Sequence, residues 1–404
     1  MIRAARVFGI LSALLGGLWL LQGLGIVHVR PILCFADCAA IQGPSPTWVI
    51  IGGITLVISG LLIFRSMRRP HNALHSVSFR QRHPLLIILG LGISVVVLVI
   101  WWHFQTDIAA ARARVSQGSV LIETACGAIE YQDAGSGVPL LAVHGSGGGH
   151  DQGMVFARPL TKQGIRVIAM SRFGYLRTPM PADASAAAQA DAHICLLDAL
   201  GIGQAAVLGG SAGAPSAIQM AIRHPDRTSA LILLVPLTYM PPKQAASAPA
   251  MPSWVESTMM SVIGSDFLFW SALHVARNPM IGTVLATPPE LVPLANAREQ
   301  ARVNAMLDTI LPVSARAKGL RSDTAISKRL TPADLKAIRA PMLVISARDD
   351  RYGTFASAQY TASQIAGARF IGFADGGHIW VGHDDEVIAA ILALLRPADA
   401  KPAQ

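Results

Sequence analysis

The sequence predicts an α/β fold placed after a helical membrane segment, and three observations predict it. From about residue 119 onward, short apolar runs of strand length alternate with helix-like stretches, the pattern of a mostly parallel sheet with covering helices. One of these junctions is Gly209-Gly210-Ser211-Ala212-Gly213, where every neighbour of the serine is Gly or Ala, as a sharp strand-to-helix turn requires. Before residue 103, the runs Val7–Val27, Trp48–Phe64 and Leu85–Trp102 hold no charged residue.

Each of these runs is about long enough to cross ~30 Å of hydrocarbon at ~1.5 Å per residue. The second, with 17 residues, is the shortest, and a re-entrant or amphipathic placement is its alternative. Trp48, Trp101 and Trp102 stand at run ends, where indole rings favour the interface. The first run exceeds the apolar core of a signal peptide and has no small-x-small cleavage site close behind it, so it is expected to be retained. The mean hydropathy of +0.46 agrees with a membrane segment.

The net charge of +9 does not signal nucleic-acid binding, because residues 1–118 hold ten Arg and two Asp while the remainder is nearly balanced at +1. Arg3 and Arg6 precede the first run, and Arg65, Arg68, Arg69, Arg80 and Arg82 join the second to the third. Only Arg30 lies between the first and second. This asymmetry places the N-terminus in the cytoplasm and, after three crossings of a bacterial inner or plasma membrane, the C-terminal part outside. Arg112 and Arg114 point the other way. The expected domains are a membrane segment over 1–115 and a catalytic domain over 119–398, and a fragment from near Ser116 is expected to carry its own core.

Within the second domain, Pro139 to Val143 forms a strand running into His144-Gly145-Ser146-Gly147-Gly148-Gly149. An acyl-transfer intermediate carries its charge on oxygen and needs two backbone N–H donors. Ala212 supplies one, and Ser146 or Gly147 the other. A phosphate cradle is excluded by the lack of Gly-Lys-Ser/Thr and of G-x-G-x-x-G spacing. Arg166 to Met170 is a strand, Asp191 to Leu200 a helix ending at Gly201, and Ala205 to Leu208 the strand before Ser211. Leu231 to Val235 follows, then a long insertion over 239–330, rich in Pro, Met and aromatics such as Trp254, Phe267, Phe269 and Trp270. That is too long for a loop and is expected to be a helical cap, its aromatics either lining an acyl pocket or packing cap on core. Pro341 to Ile345 is a strand followed by Asp349 and Asp350. Ala368 to Phe373 leads into Asp375-Gly376-Gly377-His378 and a helix over Asp384 to Arg396.

Serine is a weak nucleophile, so it needs an imidazole to take its proton and a carboxylate to orient the imidazole. Ser211, His378 and Asp350 are the candidate nucleophile, base and acid. His383 competes for the base role and Asp349 for the acid. No metal or organic cofactor is expected.

In the order of these motifs, residues 135–396 resemble the α/β-hydrolase superfamily, here fused to a multi-pass membrane segment. The resemblance implies an eight-stranded, mostly parallel sheet with helices on both faces and the site at the strand C-termini. In the family the acid stands three residues past the small residue matched by Ala347, which favours Asp350. Ser171-Arg172-Phe173-Gly174-Tyr175-Leu176-Arg177-Thr178 stands where the family has D-x-R-G-x-G-x-S, with Ser171 in place of the acid and Leu176 in place of a glycine.

The leading expectation is a serine esterase acting on an apolar acyl substrate through an acyl-Ser211 intermediate. A carbon–carbon bond hydrolase with the same triad and a catalytically idle, membrane-tethered binding module are the alternatives. Epoxide hydrolases and dehalogenases are disfavoured, since their nucleophile is usually Asp. Cys126 and Cys195 are expected as buried apolar residues. Cys34 and Cys38 fall in the outer loop, where a disulfide, or a metal site with His28, is allowed. His71, His75 and His83 belong to a basic inner loop near anionic lipid.

Overall fold

The computed structural model describes residues 2–24, 46–67, 84–241 and 264–396. Trp254, Cys34, Cys38, His28 and the three histidines of the basic loop lie outside them. The chain divides into two compact units, Met1–Asp107 with Trp270–Ala276, and Ile108–Phe269 with Arg277–Gln404.

In the first unit, α1 (Ile2–Gly23) and α2 (Pro46–Met67) pack along glycines. A Cβ on Gly52 would fall 2.4 Å from Leu20 N, and one on Gly23 would fall 2.3 Å from Val49 N. Only glycine lets the two backbones come this close. Their outward faces and that of α3 (Pro84–Ser116) are apolar and exposed, with Leu14 at 67%, Leu98 at 64% and Trp102 at 65%. Among the described residues one helix, Gly92–Ser116, is long and apolar enough to cross a membrane. Gly9–Gly23 and Trp48–Leu61 are shorter apolar helices. Trp270 sits edge-on to Phe104 and gives its indole N–H to Asp107 at 2.8 Å. It is a packing residue.

The second unit holds an eight-stranded sheet in the order β1-β2-β4-β3-β5-β6-β7-β8, with strands Val120–Thr124, Gly127–Ala134, Val138–Val143, Ile165–Met170, Ala205–Gly210, Thr228–Leu234, Met342–Ala347 and Arg369–Phe373 numbered in chain order. β2 runs antiparallel to β1 and β4, and the pairs from β4 to β8 are parallel. The inner parallel strands β3, β5, β6 and β7 are largely apolar along both faces because helices cover both. Leu141 and Val143 of β3 pack under α5 (Ala186–Ala199), α6 (Ala214–Arg223) and α11 (Thr354–Ser363). Leu140 and Ala142 pack under α4 (His150–Thr161) and α12 (Asp384–Leu395). Between β6 and β7 lie α7 (Asp266–Val275), α8 (Arg277–Val284), α9 (Ala297–Asp308) and α10 (Ala317–Ser327).

One expectation is corrected here. Cys126, exposed in the β1–β2 turn, and Cys195 of α5 are joined in a disulfide and are not buried free thiols. The second compact unit begins at Ile108. Arg114 donates to the carbonyls of Asp308 (3.1 Å) and Leu311 (2.5 Å), and His150 Nε2 donates to Val115 O at 3.0 Å. A fragment starting at Ser116 would lose these ties.

Candidate active site

Parallel strands bring their C-terminal ends to one edge, so the residues after β3, β5, β7 and β8 gather there. Ser211 leaves β5 with φ 48°, a left-handed conformation unfavourable for a residue with a Cβ and held by its surroundings. The glycines around it are steric necessities. A Cβ on Gly213 would lie 2.6 Å from the carbonyl oxygens of Val143 and His144, and one on Gly209 would lie 2.8 Å from Ala217 Cβ. Ser211 is partly exposed, and its carbonyl accepts from Leu237 N–H at 3.0 Å. A cavity of about 970 Å³, lined in part by Pro215, Ile218, Leu237, Tyr239 and Ile326, opens beside the start of α6.

Asp350, after β7, and His378, after β8, meet directly. His378 Nδ1 lies 2.9 Å from Asp350 Oδ2. The Asp350 carboxylate also accepts the Tyr352 N–H at 2.9 Å and the Thr354 hydroxyl. Burial alone would raise its pKa, but the His378 hydrogen bond and charge, with Thr354 and the Tyr352 N–H, hold it below the usual carboxylate value. An ionised Asp350 fixes the proton on Nδ1 and leaves Nε2 as the basic atom. The Tyr352 ring stands edge-on to the imidazole at 4.8 Å.

The two competitors have other positions. Asp349 accepts the N–H groups of Gly376 (3.2 Å) and Gly377 (2.8 Å), so it holds the turn that carries His378. Gly376 and Gly377 take φ 119° and 62° there. His383 stacks on Phe373 at 4.0 Å and is bracketed by Asp375 (3.0 Å) and Glu386 (3.2 Å). Burial pulls its pKa down, and the two carboxylates outweigh this and raise it. It is drawn away from Asp350.

The glycine-rich loop after β3 abuts Ser211, since a Cβ on Gly145 would lie 3.0 Å from Ser211 Cβ. Gly145 N–H donates to Gln152 Oε1 at 3.0 Å, and Gly147 N–H donates to Tyr175 Oη at 3.3 Å. Gly147 is therefore engaged, whereas the N–H groups of Ser146 and Ala212 make no hydrogen bond among the described residues. His144 anchors the loop. It accepts the Arg172 N–H at Nε2 (2.9 Å), which places its own proton on Nδ1, directed at Gly145 O (2.7 Å). Burial, reinforced by the Arg172 charge, lowers its pKa well below the ordinary value. This histidine is a neutral scaffold.

The divergent loop after β4 is explained by its neighbours. Glu130 of β2, fully buried, supplies the carboxylate that Ser171 lacks. It accepts the Ser171 hydroxyl at 3.0 Å and the Arg177 N–H at 3.0 Å, and pairs with Arg177 Nε at 2.6 Å. Leu176, in place of glycine, still adopts φ 51° and donates its N–H to Ala315 O at 2.9 Å. Sequence reasoning passed over Glu130 because its partner strand is far away in the chain. No cluster of His, Cys, Asp or Glu suited to holding a metal ion occurs among the described residues.

Residues 138–381 match the family described as the alpha/beta hydrolase fold. The chain is 25% identical over 279 residues to an uncharacterized hydrolase, YcgS, of Bacillus subtilis, covering 66% of this chain and 94% of that one. It is 41% identical over 105 residues to a 2-hydroxymuconate semialdehyde hydrolase of Pseudomonas putida, a match that covers 25% of this chain and only 37% of that enzyme. An alpha/beta hydrolase fold protein from Nakamurella multipartita superposes with a TM-score of 0.56 at 26% identity, over 69% of this chain and 98% of the other. With its mixed sheet and its serine at a strand-to-helix elbow, the chain belongs to the α/β-hydrolase family.

Proposed function

We propose that this chain is a membrane-anchored serine hydrolase that cleaves a carboxylic ester of an apolar acid. The observation that carries the reading is the Asp350–His378 pair at the sheet edge where Ser211 stands on its strained turn. In this mechanism His378 Nε2 takes the Ser211 proton as Oγ attacks the carbonyl carbon. The oxyanion is met by the N–H groups of Ser146 and Ala212, and the leaving alcohol takes the proton back from His378. Water, deprotonated by the same imidazole, then releases the acid from Ser211. Ester cleavage requires no oxidant and no metal in this scheme.

Carbon–carbon bond hydrolysis of a dienoate-like ketone is the second reading, favoured by the local identity to the semialdehyde hydrolase. A fluorophosphonate probe is expected to label Ser211 of the full chain. A panel of esters of increasing acyl length, run beside a 2-hydroxy-6-oxo-dienoate, separates the readings by relative kcat/KM. An unlabelled Ser211 with no turnover of either class would leave only a binding role.

For the anchor, we propose three crossings by the apolar runs of α1, α2 and α3, with the catalytic unit outside. The exposed apolar faces of all three helices support it, since surfaces of this kind are rare in water. The Cys126–Cys195 disulfide supports an oxidising compartment for the catalytic unit. Arg112 and Arg114, which point the other way in the charge count, are used within the catalytic unit, on Asp266 and on the carbonyls of Asp308 and Leu311. An impermeant protease added to intact spheroplasts should degrade the C-terminal domain. A C-terminal tag that stays protected until lysis would reverse the orientation.

A further inference from the structure

Asp323, on α10 of the insertion, is buried against the oxyanion loop. Its carboxylate is bidentate to Arg172, at 2.8 Å and 2.7 Å, and accepts the Tyr175 hydroxyl at 2.5 Å and the Ser146 hydroxyl at 2.9 Å. Each of these partners also holds the loop. Arg172 donates to the carbonyls of His144 (2.9 Å) and Gly145 (3.2 Å), and Tyr175 Oη accepts the Gly147 N–H. Ser146 carries the open N–H itself.

Charge and proton positions fit the arrangement. Burial opposes the Arg172 charge, but Asp323 outweighs it and raises the guanidinium pKa. Burial first, then Asp323, raises the Tyr175 pKa well above its ordinary value, so the phenol keeps its proton and donates it. The Arg172–Asp323 pair is neutral as a whole, so a developing oxyanion nearby meets no net negative charge.

We propose that Asp323 is a positioning residue for acyl transfer: through Ser146, Tyr175 and Arg172 it fixes the backbone of the oxyanion loop, so that the insertion helix carrying it helps set the transition-state donors. The inference rests on the serine-hydrolase reading above. Donors act only if they are already aimed at the position the oxyanion will occupy, so loosening them should lower kcat more than it raises KM.

The test uses the full chain in detergent, with kcat, KM, the rate of Ser211 labelling by fluorophosphonate and the melting temperature measured together. Asp323→Asn should lower kcat and the labelling rate roughly 10²-fold, as a misplacement of about 1 Å does, with KM changed less than about threefold. Ser146→Ala and Tyr175→Phe should each lower kcat by about 3- to 10-fold at an unchanged melting temperature, and Ser146→Ala should add little on top of Asp323→Asn. If Asp323→Asn does not fold, the Ser146→Ala and Tyr175→Phe singles and their double decide, with less-than-additive losses supporting the role. Folded variants with kcat within about twofold of wild type, or losses that simply add or follow the folded fraction, overturn it. A wild-type protein that neither labels nor turns over ester removes the hydrolase reading as well. Normal wild-type activity with indifferent variants removes the Asp323 role alone.

Discussion

Replacing Ser211 with alanine, or His378 with alanine, is expected to lower kcat by at least ~10³-fold while the protein stays folded, because the members of a triad act as one unit. The two substitutions should be nearly equal in effect, and the double variant should be little worse than either. His383→Ala is the internal contrast. That ring is engaged by Asp375, Glu386 and Phe373, so its loss should leave most of the activity. Steady-state kinetics on the best ester of the panel, beside far-ultraviolet circular dichroism, provides the check. An active His378→Ala variant with a silent His383→Ala variant would move the base to His383 and detach Asp350 from catalysis.

What the sequence made legible follows from burial. β3, β5, β6 and β7 lie inside the sheet and are largely buried, so each appears as a mostly apolar run, and the expected boundaries lie within three residues of those found. The candidates Ser211, Asp350 and His378 stand out in the sequence because each lies at or within a few residues of the end of such a strand and has Gly or a second acid beside it. The α5 boundary moved further, from Asp191 to Ala186, because an alanine-rich first turn gives no periodic signal, although Ser185 caps it by accepting the Ala188 N–H. Interactions between distant residues left no trace in any local window. The Glu130 carboxylate that serves Ser171, the Asp323 carboxylate on Arg172 and the Cys126–Cys195 bond all join elements that only the sheet order brings together. The contact of the Tyr175 hydroxyl with the Gly147 N–H likewise left no trace in the sequence around Ser146 and Gly147.

The largest loss of stability is expected from Arg316→Met. Arg316 is fully buried, with Nη2 at 2.8 Å from Asp151 Oδ2 and Nη1 at 2.5 Å from Gly148 O, so it clamps the oxyanion loop to the first turn of α4. Removing one partner of a buried ion pair costs about 3–5 kcal/mol because the other charge is left uncompensated. The pH dependence follows from Asp151. Burial would raise its pKa, but Arg316, His150 and Arg114 together hold it below the usual value. In the wild type, its contribution is therefore present above the unfolded pKa of about 3.9 and lost as pH falls through the lower folded value. In Arg316→Met the main cation is gone and burial raises the folded pKa. The deficit should then be largest at neutral pH and shrink on acidification toward about 3.9, where protonation removes the stranded charge. Arg316→Met combined with Asp151→Leu should recover much of the loss at neutral pH, since an apolar pair can replace a buried ionic one. Chemical denaturation of the full chain in detergent at pH 7 and at mildly acidic pH tests this. A deficit that does not change with pH, or a double variant no more stable than the single, would mean that Arg316 acts by packing and by its bond to Gly148 O, and that the Asp151 charge contributes little.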